Sequence, residues 1–260
     1  MKIKIMTLFP DFYNEFLKSS IIGRAISNGI VEIQLINIRN YSLDKNHRVD
    51  DHPIGGGAGL IMRMEPLMDC MRANISEKTH KIFLGPKGHA YTQKDAIRLS
   101  KEDEILLVCG HYEGVDSRFE DYVDEEISLG DFILTGGEIP AMAVCDSIVR
   151  LLKGAISDGS TKEESFNNTI LEYPQYTYPL EYEGKKVPDI LLCGNHEAIE
   201  TYHRREAIRE TYEKRRDLFD KMTYSKKDAP LIDQVLHHDS SLTKKEEEAL
   251  QKGKRFTESK

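Results

Sequence analysis

Gly110-His111-Tyr112-Glu113-Gly114-Val115-Asp116, followed by Leu129-Gly130-Asp131-Phe132-Ile133-Leu134-Thr135-Gly136-Gly137-Glu138-Ile139-Pro140, are the stretches on which the reading of this chain turns. An apolar run of strand length, residues 105–109, leads into the first. Residues 132–134 give a shorter run of strand character inside the second. Glycine at a strand end lets backbone approach a ligand closely or adopt positive φ. A helix is expected from about residue 138, with Pro140 in its first turn, where a missing N–H leaves no bond unmade. Two such turns around Tyr112, Glu113 and Asp131 have the make-up of a small-molecule pocket.

Outward from these turns the first half alternates strands and helices. Residues 3–6 predict a strand and 11–27 an amphipathic helix, closed by Asn28-Gly29. Val31, Ile33 and Leu35 alternate with polar residues in a second strand. Residues 64–74 read as a helix, 81–84 as a buried strand, 92–100 as a helix, and about 138–152 as a longer one. This rhythm predicts an α/β fold, a mostly parallel sheet flanked by helices. Residues 154–169 then turn polar, a linker or a functional loop. The remainder predicts an extended stretch to Cys193, a helix over 195–212, and shorter charged helices with a polar tail.

The chain has 260 residues, 39% hydrophobic and 31% charged, enough for two domains with cores of their own. Cys70, Cys109, Cys145 and Cys193 are far apart and form no Cys-x-x-Cys pair, so neither a zinc ribbon nor a disulfide framework is indicated. No signal-peptide core and no long uncharged apolar run occurs, which predicts a soluble, cytoplasmic protein without a membrane partner. A formal net charge of −8 argues against bulk nucleic-acid affinity. Basic clusters at Lys185-Lys186, His203-Arg204-Arg205, Lys214-Arg215-Arg216 and 252–255 read as solvated faces interleaved with Glu.

Gly55-Gly56-Gly57-Ala58-Gly59 lacks the lysine and hydroxyl of a phosphate loop, and Leu60 stands where a dinucleotide fingerprint needs glycine. A close-approach loop flanked by Asp50, Asp51 and His52 remains. His47, His52, His111 and His196 show no metal-ligand spacing, and no nucleophile elbow occurs. Among the carboxylates, Glu163 and Glu164 in the polar stretch are the most suggestive.

Taken in order, Leu8-Phe9-Pro10, Asp51-His52-Pro53-Ile54 with the glycine loop, both glycine turns and Gly194-Asn195-His196 make the chain recognisable. From Met1 to about Phe219 it closely resembles the bacterial tRNA (guanine-N1-)-methyltransferases of the TrmD type, in the SPOUT class. The resemblance implies transfer of a methyl group from S-adenosylmethionine to N1 of the guanosine beside the anticodon, position 37. It also implies a deep trefoil knot holding the donor, an exception to the rule against threaded chains. The matching donor positions are Leu84, Gly85, Pro86, Gly110, Tyr112, Glu113, Leu129, Gly130, Phe132, Leu134, Gly136 and Gly137.

Arg150 matches the arginine that would stabilise charge on guanine O6, and Glu164 stands where the family has its aspartate base before Ser165-Phe166. The loop between them is one residue shorter than the family pattern, and a base moved by about 1 Å can cost on the order of a hundredfold in rate. Tyr173, Gln175 and Tyr178 replace two histidines and an arginine. The resemblance further implies a homodimer with its active site across the interface, and magnesium, with Glu113 the matching carboxylate. It implies a small, mainly helical tRNA-binding domain carrying Arg204, Arg205, Lys214, Arg215 and Arg216. The expected division is a knotted methyltransferase domain over 1–157, a loop over 158–172 and the C-terminal domain over 173–260. Two alternatives stand beside this reading: a diverged paralogue methylating another RNA, and a catalytically weak donor- or RNA-binding protein.

Overall fold

A computed structural model describes residues 1–156, 165–166 and 170–258. The chain divides into two compact units, Met1–Thr161 and Lys162–Lys260.

The first unit is built on a five-stranded sheet in the order β2-β1-β6-β5-β7. Its strands are β1 (Lys2–Thr7), β2 (Glu32–Asn37), β5 (His80–Ala90), β6 (Glu104–Cys109) and β7 (Glu125–Ser128), and every pairing is parallel. A two-residue antiparallel pair, β3 (Asp50–Asp51) and β4 (Ile61–Met62), lies apart from it. Side chains alternate across a strand. Accordingly Ile3, Ile5, Ile82, Leu84, Ile105, Leu107 and Cys109 share one cluster, whereas Met6, Phe83, Leu106 and Val108 share the other. The first cluster is covered by α2 (Ser20–Ser27), α4 (Gln93–Leu99) and α5 (Glu138–Val149), the second by α3 (Met64–Asn74). Helices on both faces explain why these strands read as near-continuous apolar runs.

Helix α5 buries Ala141, Val144, Cys145, Ile148 and Val149 completely. Each of the larger side chains contributes about 1.5–3 kcal/mol by leaving water. Thr92 and Asp95 form a reciprocal capping box at the start of α4. Lys4, buried on the interior strand β1, is matched by Glu104 at 2.9 Å and the Asn74 carbonyl at 2.6 Å.

Three expectations are corrected. The predicted helix over 11–27 is a 3₁₀ turn (Pro10–Tyr13), α1 (Asn14–Lys18) and α2, broken where Ser19 is extended and Ser20 takes φ 46°. Gly23 permits the break: a Cβ there would collide with the Lys18 carbonyl. The run at 132–134 is not a strand; Phe132 and Ile133 are 57% and 84% exposed in a loop. The last strand is instead β7, hidden from pattern reading by Glu125-Glu126, which turn to Arg98, His80 and Lys87 rather than into the core. β5 also outruns its predicted end. Leu84 and His89 both register with Ile127, so residues 85–88 loop out of the sheet.

The second unit contains a two-residue hairpin, β8 (Glu181–Tyr182) with β9 (Lys185–Lys186), and the helices α6 (His196–Lys214), α7 (Arg216–Phe219), α8 (Ala229–Leu236) and α9 (Lys244–Glu258). Asn195 caps α6 by accepting from the Ala198 amide at 3.2 Å. Ile208, Met222, Leu231 and Val235 form one core, and Ile190, Ala198 and Ala249 a second that seats α9. Among the described residues no helix is long and apolar enough to cross a membrane.

Candidate functional site

The C-terminal ends of adjacent parallel strands are where open α/β sheets present ligand crevices. Here β6 ends into Gly110, β7 ends into Leu129-Gly130, and β5 leaves the sheet at Gly85. Helix α5 begins beside them, with Gly137 as its N-cap. These four elements enclose a cavity of about 260 Å³, and all twelve expected donor positions line it. Leu84, Leu129, Phe132 and Leu134 give it apolar walls, and the glycine turns give it backbone amides and carbonyls.

The glycines are required by close approach. A Cβ on Gly137 would stand 2.6 Å from Cys109 Cα, and one on Gly110 would stand 3.1 Å from the Phe83 ring. The Gly137 amide donates to the Gly110 carbonyl at 2.8 Å, and His111 bridges Gly136, so the two turns are stitched to each other. Tyr112 is held at φ 60°, a left-handed conformation that costs a non-glycine residue about 1–2 kcal/mol. Such strain persists where the surroundings over-determine it, commonly at binding sites.

The Gly55–Gly59 loop reaches the site at its far end. Gly59 has φ 83° and receives the Glu113 side chain where a Cβ would be. The Glu113 amide donates to the Leu60 carbonyl at 3.0 Å, and the Met62 amide to the Gly114 carbonyl at 2.9 Å. This is the close approach expected of that loop, towards protein backbone and carboxylate.

Sequence reasoning missed several lining residues, among them Phe83, His111, Ser128, Thr135 and Pro140. Ser128 went unseen with β7, and His111 was weighed only as a metal ligand. His111 meets the Phe9 and Tyr112 rings edge-on, each at 5.0 Å. Burial pushes the Cys145 thiol up to about 12, and burial followed by the Glu138 charge raises Cys109 as well. Both stay thiols, core residues as expected, and not nucleophiles.

The chain does not bring Arg150 to this cavity. Arg150 is the C-cap of α5 while the cavity lies at its N-terminus, about 18 Å away along the axis at 1.5 Å per residue. Glu164 lies outside the described residues. Magnesium takes oxygen ligands in a near-octahedral set, often from one or two carboxylates with water. Glu113 offers one carboxylate, and among the described residues no three His, Cys, Asp or Glu gather to hold a metal. The described residues do not form a magnesium cage.

The basic clusters are corrected in part. Arg205 is 1% exposed, and its Nη1 donates to Glu246 at 2.8 Å, which removes it from any RNA surface. Arg204 is held by both oxygens of Asp228, at 2.8 and 3.1 Å. Lys214, Arg215 and Arg216 remain at the surface, with neighbouring Glu210, Asp217 and Asp220 as partners. Tyr173 stacks on His203 with centroids 3.6 Å apart, beside Tyr176 and Tyr178 in a second cavity confined to this unit.

The profile of the tRNA (Guanine-1)-methyltransferase TrmD family matches residues 1–221, which contain the whole cavity. A tRNA (guanine-N(1)-)-methyltransferase of Clostridium acetobutylicum is 48% identical over 234 residues, 89% of this chain and 96% of the relative. One from Clostridium perfringens is 50% identical over 234 residues, 89% of this chain and 99% of the relative. One from Dictyoglomus turgidum is 45% identical over 236 residues, 90% and 96% of the two chains. With the two glycine turns closed around one cavity and about half of the aligned residues identical to those of these enzymes, the chain belongs to the tRNA (guanine-1)-methyltransferase family.

Proposed function

We propose that this protein transfers a methyl group from S-adenosylmethionine to N1 of the guanosine at position 37 of tRNA. The observation that carries the reading is the convergence of all twelve donor positions on one cavity, inside the span shared with the family. When bound, the donor supplies an electrophilic methyl on a sulfonium. The S–C bond breaks, a bond from that carbon to guanine N1 forms, and the N1 proton must go to a base.

Glu164 is the proposed base, and Arg150 the proposed partner of the negative charge that develops on O6. Because Arg150 stands at the other end of α5 from its own cavity, the reading includes a homodimer in which each copy supplies Arg150 to the other's donor. The trefoil knot and a cytoplasmic location belong to the same reading. The target base must leave the stack to reach a cavity of this kind. Lys214, Arg215 and Arg216 are the proposed phosphate contacts.

The test is incorporation of labelled methyl into an unmodified tRNA transcript with guanosine at position 37, beside the adenosine-37 transcript, with and without magnesium. Incorporation should vanish with adenosine. Glu164→Gln should abolish turnover and leave donor binding in place. Donor binding without incorporation into the guanosine transcript would overturn the assignment.

A further inference from the structure

The cavity is met by a helix end. The first amides of α5 and its aligned peptide dipoles concentrate partial positive charge at Gly137 and Glu138. Such an end, unaided, favours anions. The donor proposed above carries the opposite sign at its reacting centre, a fixed sulfonium, and its net charge is positive by one. The thioether product is net neutral. A cavity at a helix N-terminus would therefore favour product over donor unless a negative charge offset the dipole.

Glu138 is placed to provide it. It is the first residue of α5 and only 6% exposed. Thr7 Oγ1, at the end of β1, donates to its Oε1 at 2.8 Å. Its Oε2 lies beneath Gly136, where a Cβ would stand, and Gly136 lines the cavity. His111 Nδ1, buried without a hydrogen-bond partner, is 2.6 Å from that same point. The carboxylate's charge is felt nearby: it adds to burial in raising the Cys109 thiol. The amide oxygen of a glutamine would accept from Thr7 equally well, so the hydrogen bond alone does not account for a buried acid here.

We propose that the buried Glu138 carboxylate is the charge-selecting residue of the donor cavity, offsetting the α5 dipole beneath Gly136 and favouring the cationic donor over the neutral product. This rests on the S-adenosylmethionine reading above. The test is calorimetric binding of S-adenosylmethionine and S-adenosylhomocysteine to the full chain and two variants. Glu138→Gln should weaken the donor about tenfold and the product less than about twofold. Thr7→Val, which removes the bond and keeps the charge, should weaken both alike.

Equal losses of both ligands in Glu138→Gln, or an unchanged ratio, would overturn the inference. A wild-type chain that binds neither ligand would strike the donor reading itself. Should Glu138→Gln not fold, the wild type can be read with an aza analogue bearing a tertiary amine in place of sulfur. Its affinity relative to the thioether at the same pH should rise as the amine protonates, and a flat ratio would overturn the inference.

Discussion

Asp228 shows how much one side chain can do in the second unit. Two N–H groups of Arg204 bind its oxygens, the Ser225 amide and hydroxyl add 2.8 and 3.0 Å bonds, and the acid is held at about 2, against 3.8 for the free group. A carboxylate depressed in the folded state stabilises fully above its unfolded pKa, and that contribution is lost as pH falls through the folded one. The window here runs from about pH 4 down to about pH 2, and the amount is about 2 kcal/mol. Asp228→Asn should therefore lower the stability of the second unit at neutral pH by that order. The gap between variant and wild type should close in acid, read by denaturant unfolding at pH 7 and pH 2.5. A gap that stays constant with pH would mean that packing, and not this ion pair, carries the effect.

Among the elements, α5 and the strands it covers depend on glycine at Gly137. A methyl group there meets Cys109 Cα at 2.6 Å and the Gly110 amide nitrogen at 3.1 Å, backbone atoms that cannot swing aside. Gly137→Ala should lower stability by about 1–3 kcal/mol, since overpacking displaces the helix from β6. Donor affinity should fall more than about tenfold, because the helix end forms part of the cavity. Thermal unfolding and calorimetry on the same preparation check the two effects.

This position was legible in the sequence because Gly136-Gly137 directly precedes a long apolar helix with Pro140 in its first turn. The parallel sheet was legible for the same reason, in unbroken runs such as Ile105 to Cys109. β7 was not, since Glu125-Glu126 mimic a solvated edge and only the fold brings Arg98 and His80 against them. Nor was the fate of Phe132-Ile133-Leu134, whose apolar content reflects a cavity wall and an exposed loop in place of strand pairing. Arg205 misled for a third reason. Its partner Glu246 lies 41 residues later on α9, a long-range pair that no local pattern announces.

For the molecule as a whole, the placement of Arg150 turns the proposed homodimer into a prediction about mixtures. Leu134→Lys should disable a protomer's own donor cavity, and Arg150→Ala should disable only what that protomer supplies to its partner. Each homodimer is then inactive, whereas a mixed dimer keeps one intact site. Random mixing in a two-fold assembly gives about a quarter of wild-type activity. Co-expression followed by the methyl-incorporation assay would show this recovery. Activity no greater than that of the separate variants would place the arginine and the cavity in the same chain's site.

Helix α5 has one end at the cavity and Arg150 at the other, with a core face between them. It acts as a ruler. One residue inserted anywhere along it would advance the far end by about 1.5 Å and rotate it by about 100°, aiming the arginine away from the role proposed for it. Substitutions on its surface leave both spacing and phase intact. The exposed positions within Glu138–Val149 should thus tolerate changes of residue far better than changes of length.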